Sequence, residues 1–217
     1  MDKILIIASH PDDEVLGCGG TIKKHKKEGR EVYLCIGTKA YAPDWTEEYI
    51  KEKAVETKAS NDFLGFDKVF FLDFDAIKLD IAGQKKLNDS IADVVSRVKP
   101  EVMYIPFRGD INTDHRMVSL ACIVAARPRP GSSVKKILAY EVPGSTELGA
   151  VPFLPNYYEN IEGFIEEKKQ AMAFYKSELK EYPHPRSLEG IEILAKKRGM
   201  EAGLKYAEAF MLLRQIK

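Results

Sequence analysis

The run "ILIIASHPDDEVLGCGG", residues 4–20, passes from five apolar residues to a histidine and three acids, and then to glycines. Ile4-Leu5-Ile6-Ile7-Ala8 shows no polar alternation, so it reads as a strand buried on both faces of a parallel sheet. Open α/β sheets bind ligands beyond the carboxyl ends of their strands. His10, Asp12, Asp13 and Glu14 therefore arrive where such a fold does chemistry. An Asp that caps a helix explains one of these acids. It does not explain a histidine two residues before adjacent aspartates, whose mutual repulsion a cation would relieve.

Outward from this run, strand and helix signals alternate. Helical patterns cover 15–29, 44–65 (starting near Thr46 and stopped by Gly65), 82–100 and 113–127; strands cover 31–38, 68–74, 101–107 and 135–142. In 82–100 an apolar stripe of Leu87, Ile91, Val94, Val95 and Val98 marks one buried face. The alternation predicts a Rossmann-like three-layer αβα fold with a mostly parallel sheet, its first and fourth strands adjacent across a switch point. From about 143 the pattern becomes loop-like. Helical segments follow near 161–181 and 187–203, and the end "YAEAFMLLRQIK" packs back. The reading is one domain over 1–217, an α/β core to 142 and an α-rich C-terminal part on it.

A second cluster, "RGDINTDHR" at 108–116, follows the fourth strand in the same strand-to-helix position and supplies Asp110, Asp114 and His115. If the two strands are neighbours, the clusters converge. Two histidines and a carboxylate make a protein set for a catalytic zinc that leaves the fourth position to water. The remaining aspartate can then act as general base. The glycines do not build a dinucleotide loop: Gly17-Cys18-Gly19-Gly20-Thr21-Ile22 puts isoleucine where GxGxxG needs a small residue, and no P-loop occurs. No G-x-S-x-G elbow appears, and Cys18 reads as a small core residue. The glycines instead let the first helix approach the sheet.

Composition narrows the classes. Lys plus Arg and Asp plus Glu are 33 each, so no net field draws the chain to nucleic acid or an anionic membrane. Three cysteines without a CxxC pair fit a reducing compartment. The N-terminal stretch lacks a leader pattern and no segment is long and apolar enough to span a bilayer, so a cytoplasmic protein is expected.

With both motifs in view, the chain resembles the PIG-L/LmbE-like family of zinc-dependent N-deacetylases, which act on N-acetylglucosaminyl conjugates. The resemblance rests on "SHPDDE" after the first strand and "DINTDHR" after the fourth. It is extended by "KAVE" at 53–56 (lysine where the family's usual R-x-x-E has arginine), by "PNYYENIEGFIEEKKQAMAFYKSEL" and by "YPHPRS…YAEAF". It implies His10, Asp13 and His115 as ligands to zinc, with ferrous iron the alternative. It implies Asp12 as general base and Asp114 as the residue that orients a ligand. Asn112 stands where the family often carries a histidine that stabilises the oxyanion. The implied substrate is a small N-acetylated amino sugar, cleaved to free amine and acetate.

Other residues carry weaker expectations. Lys39, Arg108, Glu141, His184 and Arg186 are candidate substrate contacts, Arg186 for a phosphate or carboxylate and Glu141 for sugar hydroxyls. Arg108 could equally pair with Asp110, and His184 could simply shape a proline turn. Tyr41 and Trp45 either stack on a sugar or anchor their own loop. His25, in "KKHKKE", is expected on a solvated surface. The stripe Ile161, Phe164, Ile165 and Met172 is core or a subunit interface, which leaves homo-oligomers open. Two rivals remain: a catalytically silent carbohydrate- or metal-binding protein on this scaffold, and a zinc amidase for another acyl group.

Overall fold

The computed structural model describes residues 3–217. Seven strands form one sheet: β1 (Lys3–Ala8), β2 (Glu31–Lys39), β3 (Lys68–Asp75), β4 (Val102–Pro106), β5 (Lys136–Tyr140), β6 (Tyr157–Asn160) and β7 (Ala207–Gln215). Their order is β3-β2-β1-β4-β5-β7-β6. The first five are parallel, and β1 pairs with β2 on one side and β4 on the other, so the expected adjacency holds. Ile4 to Ala8 have no exposed surface, as a strand covered on both faces requires.

The helices are α1 (Asp13–Lys27), α2 (Glu47–Leu64), the short α3 (Leu79–Ala82), α4 (Gln84–Val98), α5 (Thr113–Ala125), α6 (Ile165–Ala173) and α7 (Leu188–Ala202). One core, built on Ile4, Ile6, Leu34 and Tyr140, lies under α1; the other, built on Leu5, Ile7, Met103 and the α4 stripe, lies under α4 and α5. Capping follows the sequence: Thr46 accepts from the Tyr49 amide, and Gly65 closes α2 in the left-handed conformation. Gly17 is required by contact, since a Cβ there would sit 2.2 Å from the Tyr140 ring. Of the stripe, Ile161, Ile165 and Met172 are buried within the chain, and Phe164 is half-buried against Ile161 and Ile165.

Two expectations are corrected. The C-terminal part is less helical than expected: α6 is only nine residues long, and β6 and β7 complete the sheet, with β7 antiparallel to both β5 and β6. The segment is therefore woven into the sheet rather than laid on it. His25 is buried, 4% exposed, and its Nε2 lies 3.0 Å from the Tyr104 hydroxyl. The neighbouring lysines masked its position in the i, i+4, i+7 series Cys18, Ile22, His25, the buried face of α1.

Candidate metal centre and active site

The loops after β1 and β4 leave the sheet side by side, and three side chains from them converge. His10 Nδ1 lies 3.2 Å from His115 Nε2, and Asp13 Oδ2 lies 3.6 Å and 3.4 Å from those nitrogens. Asp13 and His115 are buried, and one-fifth of the His10 side chain is open. Four ligands at zinc's ordinary bond lengths stand about 3.3 Å apart in a tetrahedron, so this triangle fits one face of that coordination. Among the described residues, His10, Asp13 and His115 form the one cluster of this kind. They are the three residues that the family resemblance implies as metal ligands.

Each of these three side chains is held from behind. Asp114 Oδ2 lies 3.0 Å from His10 Nε2 and also accepts the Ile77 amide, which turns Nδ1 inward. Asp110 Oδ2 stands 3.1 Å from His115 Nδ1, obliquely, and accepts hydrogen bonds from the Ser145 and Thr146 hydroxyls. The Ser9 and His10 amides donate to Asp13 Oδ2. Such outer partners fix which ring nitrogen faces a metal.

Electrostatics tie the cluster together. Burial disfavours a charged His10, yet Asp114 and Asp13 outweigh it and raise its pKa to about 9. His115 is pushed to about 10, since Asp13 and Asp110 outweigh its burial. Burial alone would raise Asp13, but the two imidazoles hold its carboxyl well below the usual range. A divalent cation held by His10, Asp13 and His115 would satisfy the Asp13 carboxylate and take the place of the protons on the inward ring nitrogens.

Asp12 takes no part in the triangle. Its φ of 113° is costly for a residue with a Cβ, and it turns the chain sharply into α1. The turn is secured by Glu14, which accepts the Asp12 amide and the Tyr175 hydroxyl. Burial lifts Asp12 to about 6 against the opposing pull of Lys53 and Arg186. Arg186 Nη1 lies 3.3 Å from Asp12 Oδ2 and 3.4 Å from Glu178 Oε2. Glu178 also receives Lys53 Nζ at 2.9 Å and the Tyr49 hydroxyl at 2.7 Å. Lys53 could be read from the "KAVE" segment; Tyr49 and Glu178 carried no signal, because only the folded chain brings α2 and the segment after α6 to Asp12.

These groups border a cavity of about 190 Å³ lined by His10, Asp12, Trp45, Lys53, Asn112 and Arg186, among others. Asn112 caps α5, its Oδ1 accepting the Asp114 amide. Lys39 lines the same cavity and reaches Asp73 at 3.4 Å. The other candidate contacts are placed differently. Glu141 is gripped at 2.7 Å through both oxygens by Arg198, so its carboxylate serves an internal ion pair and not the cavity. His184 is exposed and accepts the Arg186 amide, the bland role of shaping its turn. Arg108 is exposed, and Asp110 is engaged by Ser145, Thr146 and His115 instead.

Comparison with known proteins bears on the family and the fold. A family model described as PIG-L, GlcNAc-PI de-N-acetylase, matches residues 5–126. Diacetylchitobiose deacetylase of Thermococcus kodakarensis is 28% identical over 95% of this chain and 81% of its own. Among solved structures, N,N'-diacetylchitobiose deacetylase from Pyrococcus horikoshii superposes with a TM-score of 0.79 at 22% identity, covering 98% of this chain and 84% of that one. GalB, the 4-carboxy-2-hydroxymuconate hydratase of Pseudomonas putida, also gives 0.79, at 20% identity over 100% and 98% of the two chains. At these identities the structural matches speak for the fold alone.

Proposed function

The chain belongs to the PIG-L (GlcNAc-PI de-N-acetylase) family, and on that premise we propose a zinc-dependent hydrolase that removes the N-acetyl group from an amino-sugar conjugate. The observation that carries this reading is the pairing of a three-ligand triangle with an adjacent aspartate left outside it. A divalent ion held by His10, Asp13 and His115 would supply Lewis acidity and a water made acidic near neutral pH.

The chain's own groups do the rest. Asp12 accepts a proton from the attacking water as its oxygen bonds to the acetamide carbonyl carbon. The side chain of Asn112, its Oδ1 fixed by the cap, keeps Nδ2 to donate to the oxyanion that develops. Asp12 then returns the proton to the sugar nitrogen as the C–N bond breaks, giving free amine and acetate. Arg186 and Lys53 keep Asp12 ionised between turnovers. Lys39 and Trp45 line the cavity where the sugar ring would lie.

Two imidazoles and one carboxylate are a donor set that would suit zinc, the metal proposed here, and that ferrous iron shares. Three buried free cysteines suit a reducing, cytoplasmic setting. No helix among the described residues is long and apolar enough to cross a membrane. The hydratase that shares the fold makes a direct contrast: a deacetylase releases acetate and a hydratase does not. Zinc-loaded protein incubated with N-acetylglucosamine, its glycosides and diacetylchitobiose should release acetate and primary amine in equal amounts. Binding of these sugars without acetate release would favour the silent binding protein.

A further inference from the structure

Beside the sugar-sized cavity lies a second, larger hollow of about 450 Å³ on the side of edge strand β3. The two share Pro11, Thr38, Lys39, Ala40 and Lys53, so they adjoin along these residues. Helix α2 forms one wall, with Ile50 and Ala54, while Val69 and Phe71 of β3 form the other. Phe71 is 55% exposed, the one phenylalanine among the exposed large apolar side chains of the described residues. A groove walled by aliphatic and aromatic groups and adjoining a reaction site marks a place where apolar ligand surface is buried.

We infer that this groove is an aglycone subsite, and that the substrate's amino sugar carries an apolar, alkyl-type group that lies between α2 and β3. The inference rests on the deacetylase reading and deepens it. The cavity against His10 and Asp12, at about 190 Å³, is small beside the roughly 300–1,000 Å³ of drug-sized pockets and suits a single ring. With the acetamide at the metal triangle and the ring in this cavity, whatever continues past Lys39 and Ala40 is attached to the ring. The far rim is charged, with Lys58 paired to Asp62, so the apolar stretch has an end.

The test uses zinc-loaded protein and alkyl β-glycosides of N-acetylglucosamine from methyl to octyl. Trp45, the single tryptophan, lines the cavity and reports binding by fluorescence. Dissociation constants should fall about two- to fourfold per methylene until the groove is filled, the upper value being that of full burial. The same rise should appear in kcat/KM for acetate release. Phe71→Asp and, independently, Ala54→Asp should drive the hexyl-to-methyl ratio toward one, with the melting temperature confirming that each variant is folded.

Equal affinity across the series, or an unchanged ratio in both variants, overturns the subsite. So does a gain seen only when the N-acyl group is lengthened, or a groove that proves to be covered by a second copy, shown by Phe71→Asp converting an oligomer to monomer without any chain-length effect. Acetate release from the methyl glycoside with no chain-length effect would sink the subsite and leave the deacetylase standing. Chain-length-dependent binding with no acetate from any member would do the reverse.

Discussion

Asp114 Oδ2 sits 3.0 Å from His10 Nε2, and the opposite nitrogen of the same ring lies 3.2 Å from His115 Nε2. One carboxylate on α5 thereby decides which face of a histidine on the β1 loop meets the metal triangle. Because Asp114 adjoins His115 in the chain, the segment that supplies one corner of the triangle also orients another.

Asp114→Asn should therefore weaken zinc binding without abolishing it. An amide can still approach Nε2 but no longer carries the charge that makes the ring a better donor. A 10- to 100-fold loss in zinc affinity is expected from competition with a chelator, and a similar loss for Asp110→Asn behind His115. Unchanged affinity in both variants would contradict the positioning roles.

As the proposed general base, Asp12 should set the acid limb of the rate profile. A general base works only when deprotonated, so kcat/KM falls as pH drops through its pKa. Burial places that value at about 6 in the protein alone, and a neighbouring divalent cation can only lower it. The limb should therefore lie at or below pH 6.

Lys53 is the largest single charge holding Asp12 down, and its Nζ also pairs with Glu178. Lys53→Met should move the acid limb to higher pH, by about one unit, a typical effect of losing a nearby opposite charge. Glu178 would retain Arg186 and Tyr49, so folding should survive, at a cost of about 3 kcal/mol for a largely buried ion pair broken on one side. Rate profiles and urea titrations of the two proteins check both outcomes.

His25 offers a test of the fold away from the site. Burial, aided by Arg30, lowers its pKa to about 4 from the ordinary 6.5. The unfolded chain therefore binds a proton that the folded one refuses. Stability is unaffected above pH 6.5 and is lost as pH falls from there toward 4. The loss is up to about 3 kcal/mol at 1.36 kcal/mol per unit. His25→Gln should lose less stability between pH 7 and pH 4.5 than the parent, as read by urea unfolding at the two values.

Much of this was legible before folding because the informative features are local. The uninterrupted run Ile4–Ala8 marks a central strand, and the two His-Asp clusters each lie where a strand gives way to a helix. One topological rule then brings the clusters together. What was not legible depends on distant packing. Arg198 claims Glu141 from a helix 57 residues away, and Glu178 meets Lys53 across 125. The sequence of β7 shows only an apolar end, since its partners β5 and β6 are set by antiparallel pairing that one strand's pattern does not encode. Arg186 fell between: its residue type pointed to a charge in the cleft, while its contact with Asp12 required the fold.

The most direct measurement is zinc content and acetate release together in the parent, in His115→Ala and in Asp12→Asn. The expected result is about one zinc per chain with activity in the parent, loss of both in His115→Ala, and zinc retained with activity lower by 10²- to 10⁴-fold in Asp12→Asn. Full activity in Asp12→Asn, or stoichiometric zinc in His115→Ala, would contradict the division of labour between three ligands and one free base.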